Sequence, residues 1–213
     1  MAETGKVIWL AGASGRVGSR VLEGLLQSPE FARVIAITRR PLGREYQRLA
    51  NRIVPFTQLE TQLRGHPCDA AMCCLTAPQL VVLDYARAAL AAGARRFVML
   101  SCCTADSASR RTAARIQGET LEALTPLGFE SLDLLLPGPL LGMKRGAAPG
   151  EVLSMAIAAL IRPLRFGARE AQRAVTCTDV ATAMIGALRS GRRGVNRYDF
   201  SGIRSLSRMR GRT

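Results

Sequence analysis

The chain has 213 residues, of which 48% are apolar, and its formal net charge at pH 7 is +14. This length fits one globular domain, and no stretch reaches the roughly 18 uncharged apolar residues of a membrane span. The apolar run after Lys6 is too short for a signal peptide, so the sequence predicts a cytoplasmic protein with no membrane contact.

Short apolar runs alternate with amphipathic patterns along the first two thirds of the chain. The predicted strands cover residues 6–11, 33–38, 52–56, 69–75, 96–101 and 131–136, and the predicted helices cover 16–27, 78–92 and 109–124. Pro55 places the third strand near a sheet edge. This βαβ alternation predicts an α/β fold, a doubly wound parallel sheet of the Rossmann type with strand order 3-2-1-4-5-6.

The pattern loosens after residue 142. Helices are predicted over 151–161 and 179–188, with Asp179 as the cap of the second, and strands are predicted near 174–177 and 196–200. We interpret the chain as one domain with a core over about 5–142. A small C-terminal lobe over about 143–203 and a basic tail over 204–213 follow it.

A glycine-rich turn joins the first strand to the first helix, with the sequence Gly12-Ala13-Ser14-Gly15-Arg16-Val17-Gly18. A dinucleotide site needs a sharp strand-to-helix turn, a backbone that approaches the pyrophosphate closely, and a helix N-terminus that favours the anion. A second strand arrives about 20 residues later, as this kind of site requires. The turn therefore predicts dinucleotide binding.

The residues after the second strand distinguish NAD from NADP. An acidic side chain there binds the ribose 2′-hydroxyl of NAD, whereas arginine pairs with the 2′-phosphate of NADP. This chain has Thr38-Arg39-Arg40 and no carboxylate at that point, which favours NADP over NAD. The alternative is that both arginines are solvated surface residues of an Arg-rich protein.

With these features the sequence resembles the atypical short-chain dehydrogenase/reductase superfamily, and within it the Tat-interacting-protein-like group with its bacterial NAD(P)-binding relatives. The matching stretches are residues 12–18, the pair 39–40, and residues 73–76, 101–106, 117–119 and 137–141. The resemblance implies cofactor contacts at Gly12, Ser14, Gly15, Arg16, Val17, Gly18, Arg39, Arg40, Leu75, Thr76, Ser101, Pro137 and Leu140.

The resemblance also exposes a departure in the chemistry. The family reduces carbonyls with a Tyr-x-x-x-Lys pair, and the matching positions here are Ala113 and Gln117. Neither side chain acts as a general acid or base at neutral pH. Ser101 alone remains as a candidate catalytic hydroxyl, at the end of the fifth strand.

Two functions stay open. The first is a cofactor-binding sensor or interaction module with a protein partner. The second is an NAD(P)H-dependent reductase of quinones or flavins, since hydride transfer to these acceptors requires mainly orientation of the nicotinamide. The sequence identifies neither a substrate nor an oligomeric state.

Other features point to no further chemistry. Cys73, Cys74, Cys102 and Cys103 are expected near one sheet edge, and we interpret them as small buried hydrophobic residues. No spaced CxxC pattern predicts a metal site. The predominance of arginine among 30 basic residues is typical of GC-rich bacterial coding, and the basic tail lacks the aromatic residues of nucleic-acid binders.

Overall fold

The computed structural model of the chain describes residues 5–43, 45–75, 77–141 and 173–208. The strands are β1 (Lys6–Ala11), β2 (Phe31–Thr38), β3 (Leu49–Ile53), β4 (Ala70–Cys73), β5 (Arg96–Leu100), β6 (Ser131–Leu135), β7 (Leu140–Leu141), β8 (Val175–Thr176) and β9 (Gly194–Tyr198). The helices are α1 (Gly18–Gln27), α2 (Leu59–Leu63), α3 (Gln79–Ala91), α4 (Thr112–Leu124), α5 (Cys177–Arg189) and α6 (Phe200–Arg208).

Seven of these strands form one parallel sheet with the order β3-β2-β1-β4-β5-β6-β9. The predicted order 3-2-1-4-5-6 is confirmed, and β9 extends the sheet at the far edge. The remaining pair, β7 and β8, forms a separate two-stranded sheet. The carboxyl ends of β1, β2 and β4 meet at the point where the strand order reverses, which is where ligands bind in folds of this kind.

Helices cover both faces of the sheet, which explains why its strands read as continuous apolar runs. On one face α1 and α5 pack together, and Val21, Leu25 and Val180 are fully buried. On the other face Trp9, Tyr85 and Phe97 form a buried aromatic row under α3, with ring centroids 6.5 and 5.9 Å apart. Burying side chains of this size contributes a few kcal/mol each.

A buried carboxylate ties the edge strand β9 to β6. Asp133 is fully buried and accepts hydrogen bonds from the Ser131 hydroxyl at 2.7 Å and from the Tyr198 hydroxyl at 2.9 Å. Burial raises the pKa of Asp133 above its ordinary value, although both hydrogen bonds oppose the shift. Burial and the neighbouring carboxylate raise the pKa of Tyr198 to about 12.

Several predicted boundaries are wrong by a few residues. The third strand was expected at 52–56 but covers Leu49–Ile53, because pairing with β2 rather than apolar content sets its register. It does lie at a sheet edge, and Pro55 falls outside it. Helix α1 begins at Gly18 and not at residue 16, since the turn occupies the two preceding positions.

The C-terminal elements also differ from their predicted bounds. Thr176 caps α5, because its hydroxyl accepts from the Asp179 N–H at 3.0 Å and donates to the Asp179 carboxylate at 2.8 Å. Asp179 is therefore not the cap but its partner in the first turn. The part of the predicted tail up to Arg208 is helical, since Leu206 is buried against α5. The helix predicted over 151–161 lies outside the described residues.

Within the described ranges, no helix has the length and apolar character needed to cross a membrane.

Candidate functional site

The glycine turn holds β1, α1 and the end of β4 at the closest approach that a backbone allows. Gly12 has a φ of +85°, and a Cβ there would lie 2.7 Å from the backbone of Cys74. A Cβ on Gly18 would lie 2.0 Å from the Gly12 carbonyl oxygen. A side chain at Gly12 would push the turn away from the end of β4, and one at Gly18 would push α1 away from the turn, so glycine is required at both positions.

The N-terminus of α1 has no side-chain cap and no acidic residue in its first turn. The Ser19 and Arg20 N–H groups donate to the backbone carbonyls of Gly15 and Val17, each at 3.0 Å, so the turn itself closes the start of the helix. Ser14 and Gly15 are exposed beside it, and Arg16 is half-buried. The Val17 side chain, in contrast, is buried in the core, so it offers no contact to a ligand at this turn. Together with the helix dipole, this arrangement favours a phosphate.

A cavity of about 520 Å³ lies next to the turn, between the ends of β1, β2 and β4. Its lining consists of Gly12, Ser14, Ile37, Thr38, Arg39, Arg40, Pro41, Phe56, Leu75, Ala77 and Pro78. The structure thus brings together five of the predicted site residues, namely Gly12, Ser14, Arg39, Arg40 and Leu75. Thr76 lies outside the described residues.

The cavity is cationic. Arg39 and Arg40 are both exposed, and none of the described residues that line the cavity is acidic. The Arg39 guanidinium lies over the Phe56 ring, 5.4 Å from its centroid. Sequence reasoning missed Phe56 as a site residue because it was assigned to the third strand. An arginine held over an aromatic ring keeps N–H groups that can donate to an anionic ligand.

The remaining predicted residues lie along the same sheet edge, outside this cavity. Ser101 follows β5, and its hydroxyl donates to Gln117 Oε1 at 2.8 Å. The Cys103 N–H donates to the Pro137 carbonyl at 3.0 Å, which joins the ends of β5 and β6. Leu140 lies in β7 and pairs with Val175.

The helix that carries the two family positions is held tightly against the sheet edge. A Cβ on Gly118 would lie 2.1 Å from the Ser107 N atom, so α4 approaches this loop at backbone distance. Gln117 is half-buried beside Ser101, and Ala113 is exposed one turn earlier.

The chain's three tyrosines all lie in described positions away from this helix. Tyr46 is exposed before β3, Tyr85 is buried in α3, and Tyr198 is bound to Asp133. None of them lies on α4 or in the loop between β5 and α4, the two segments that bring Ser101 and Gln117 together.

Of the four cysteines predicted to be buried at this edge, only Cys73 is buried, whereas Cys74, Cys102 and Cys103 are half-buried at the ends of β4 and β5. Burial raises the pKa of Cys73 to about 11, and burial also raises the pKa of Cys74, whose sulfur lies 3.7 Å from the Met184 sulfur. Such thiols stay protonated at neutral pH and are poor nucleophiles. In the described part of the chain, no three His, Cys, Asp or Glu side chains are grouped so as to hold a metal ion.

Similar proteins identify the group to which this site belongs. No protein-family model matches the sequence. Protein HTATIP2 of Rattus norvegicus is 30% identical over 168 residues, which are 70% of this chain and 69% of the relative. The mitochondrial protein fmp52 of Aspergillus fumigatus is 27% identical over 186 residues, covering 76% and 78% of the two chains.

Solved structures share the fold. MoeE5 in complex with UDP-glucose and NAD superposes with a TM-score of 0.64 at 17% identity, covering 96% of this chain and 82% of that one. A short-chain dehydrogenase from Burkholderia cenocepacia in complex with NADP has a TM-score of 0.62 at 16% identity, covering 95% and 91%. Together with the similarity to HTATIP2, this shows that the chain belongs to the atypical short-chain dehydrogenase/reductase superfamily, in the group of the Tat-interacting-protein relatives.

Proposed function

We propose that the chain binds NADP(H) at the carboxyl edge of its sheet. The observation that carries this proposal is that the glycine turn and both arginines line one cavity of about 520 Å³. The uncapped N-terminus of α1 offers its helix dipole to a pyrophosphate, and the half-buried apolar side chains of Phe56 and Leu75 offer surface for an adenine ring. The bound cofactors of MoeE5 and of the Burkholderia dehydrogenase support a dinucleotide in this fold.

The charge of the cavity supports NADP over NAD. A ribose 2′-hydroxyl is recognised by a carboxylate at the end of β2, and this lining has none. A 2′-phosphate pairs with guanidinium groups through charge-assisted hydrogen bonds, and Arg39 and Arg40 stand at that point.

We further propose that the bound cofactor is sensed rather than consumed in carbonyl reduction. NADPH supplies a hydride when bound, but a carbonyl oxygen also needs a proton donor. Ala113 has no proton to give, and Gln117 is a neutral amide whose oxygen accepts from Ser101. This chain's own residues would bind and orient the nucleotide, and occupancy would order the surrounding loops as a surface for a partner.

Titration calorimetry and thermal shift with NADPH and NADH test the binding. NADPH is expected to bind more tightly and to raise the apparent melting temperature, because a ligand that binds only the native state stabilises it. The sensor role predicts no NADPH oxidation across aldehyde and ketone substrates, and steady turnover with any of them would contradict it. Absence of binding by both dinucleotides would overturn the proposed function itself.

A second candidate function is reduction of a quinone or flavin. It is favoured by the half-buried Ser101 and Cys102, which leave the edge beyond β5 accessible to a flat acceptor. Hydride transfer to such an acceptor depends on orientation more than on a tyrosine. NADPH oxidation in the presence of quinones or free flavins would establish this function in place of the sensor, and its absence would leave the sensor role as the proposal.

A further inference from the structure

The side chain of Asn51 shapes the loop that carries the two arginines. Asn51 lies in β3, opposite Ala36 of β2. Its amide nitrogen donates to the Ala36 carbonyl at 3.1 Å and to the Thr38 hydroxyl at 2.7 Å. Its amide oxygen accepts the Leu42 N–H at 2.9 Å. One side chain thus binds the strand before the loop and the backbone after it.

The network continues into the loop through Thr38. The Thr38 hydroxyl accepts from Asn51 and donates to the Arg40 carbonyl at 2.8 Å. Thr38 is 5% exposed, so these hydrogen bonds are shielded from competing water. The backbone around Arg40 is therefore fixed from both sides, at Thr38 and at Leu42.

This anchoring decides where the guanidinium groups can reach. Arg39 and Arg40 have long side chains with many rotamers, and their exposed heads make no ion pair among the described salt bridges. A loop held at both ends limits the entropy that the arginines lose when they bind a ligand. Pro41 restricts the backbone further, because its ring fixes φ.

We propose that Asn51 is a positioning residue that sets the preference for a dinucleotide carrying a 2′-phosphate. It holds Arg39 and Arg40 beside the cavity and does not itself line it. This inference rests on the proposed binding of NADP(H). The Asn51 amide thus affects the choice between NADPH and NADH indirectly, through its hydrogen bonds to β2 and to the loop that follows β2.

The test compares cofactor selectivity in wild type and Asn51→Ala by titration calorimetry with NADPH and NADH. The variant loses three hydrogen bonds that order the loop, and NADPH is expected to bind about tenfold more weakly. NADH, which has no 2′-phosphate, is expected to stay within about threefold of wild type. If Asn51 only supported the fold of this region, the variant would instead weaken the binding of NADPH and of NADH by the same factor.

Asn196→Ala is the matched control. Asn196 lies in β9 at the opposite edge of the sheet, and its amide nitrogen donates to the Gly194 carbonyl at 3.3 Å. Its removal is expected to leave both dissociation constants unchanged. If Asn51→Ala does not fold, Asn51→Leu carries the same test, because leucine keeps the branched shape of the side chain, removes its hydrogen-bonding groups and leaves the lining of the cavity unchanged.

Each outcome supports or overturns the inference. A drop in the NADPH-to-NADH preference in Asn51→Ala or Asn51→Leu, with the control unchanged, supports it. If both variants keep the wild-type selectivity, the inference about Asn51 is overturned and the proposed function stands. Equal weakening of NADPH and NADH binding has the same meaning. Wild-type protein that binds neither dinucleotide overturns both proposals.

Discussion

Gly15 is a position where a substitution is expected to weaken ligand binding without unfolding the glycine turn. The variant Gly15→Ala tests this expectation, because its stability and its NADPH affinity are measured separately. A Cβ on Gly15 would meet one atom within 4 Å, the Gly12 carbonyl oxygen at 3.3 Å. That neighbour must give by a few tenths of an ångström, and the φ of Gly15 is not in the left-handed region. Replacing glycine by alanine also removes entropy from the unfolded chain, worth about 0.4–1 kcal/mol. The free energy of unfolding is therefore expected to change by less than about 1 kcal/mol.

Binding is expected to respond much more strongly. Gly15 is exposed on the side of the turn where a pyrophosphate would approach the backbone, so the new methyl group occupies that path. A hydrogen bond between a backbone N–H and a charged phosphate is worth about 1.5–3 kcal/mol. Displacing the phosphate from one such donor weakens NADPH binding by about 10- to 150-fold.

Two further glycine variants serve as a destabilised comparison and as a control for Gly15→Ala. In Gly18→Ala the methyl group would lie 2.0 Å from the Gly12 carbonyl oxygen, so both stability and binding are expected to fall, stability by about 1–3 kcal/mol. Gly24→Ala, in the same helix, would contact only the Ile185 Cδ1 atom at 2.5 Å, the end of a flexible side chain. This control is expected to retain NADPH affinity.

The assay is titration calorimetry with NADPH and urea denaturation on the four proteins. NADPH affinity of Gly15→Ala within threefold of wild type would refute the reasoning that a phosphate approaches this backbone. A loss of more than about 2 kcal/mol of stability would refute the conclusion that the folded turn has room for the methyl group.

Two other substitutions test the charge of the cavity and the buried carboxylate. Replacing Arg39 and Arg40 together by alanine is expected to weaken NADPH binding about 100-fold and to leave NADH within threefold, because their partner is the 2′-phosphate; equal losses would contradict this. Tyr198→Phe is expected to cost about 1–2 kcal/mol at pH 7 and less at pH 4, measured by urea denaturation. Because burial raises the pKa of Asp133 in the folded protein, the carboxyl of the unfolded chain ionises first, and stability falls as pH rises from the unfolded pKa to the folded pKa. Losing the Tyr198 donor raises the folded pKa further and extends that fall to higher pH. Equal losses at both pH values would contradict this.

The sequence predicts the sheet well because its central strands are covered on both faces. Residues 7–11, 34–37 and 70–73 are short continuous apolar runs, and such runs between amphipathic helices have few alternatives to parallel strands. The edge strand β3 is harder, since its residues are half-buried or exposed and only hydrogen bonds to β2 fix its position. The apolar residues Val54 and Phe56 lie after its end, which explains the misplaced boundary.

The glycine turn was predictable for a similar reason, because it is a local motif whose shape depends on seven consecutive residues. The loop after β2 depends instead on Asn51, which is 13 residues from the Thr38 hydroxyl that it binds. No periodicity or spacing in the sequence connects these two residues. Their contact follows from the register of β2 and β3, which the fold alone determines.

The proposed dinucleotide site and the positions that match the family's proton relay lie in physically separate parts of this structure. Gly12 and Gly18 are required by the packing of β1, β4 and α1, so the turn that we propose as the phosphate site is also needed for the fold. The position of Ala113 is exposed on α4, where substitutions away from special contacts change stability by about 0.5 kcal/mol or less. A chain of this family can therefore exchange the residue at position 113 at little cost to folding without disturbing the glycine turn, which is the combination that the proposed cofactor sensor requires.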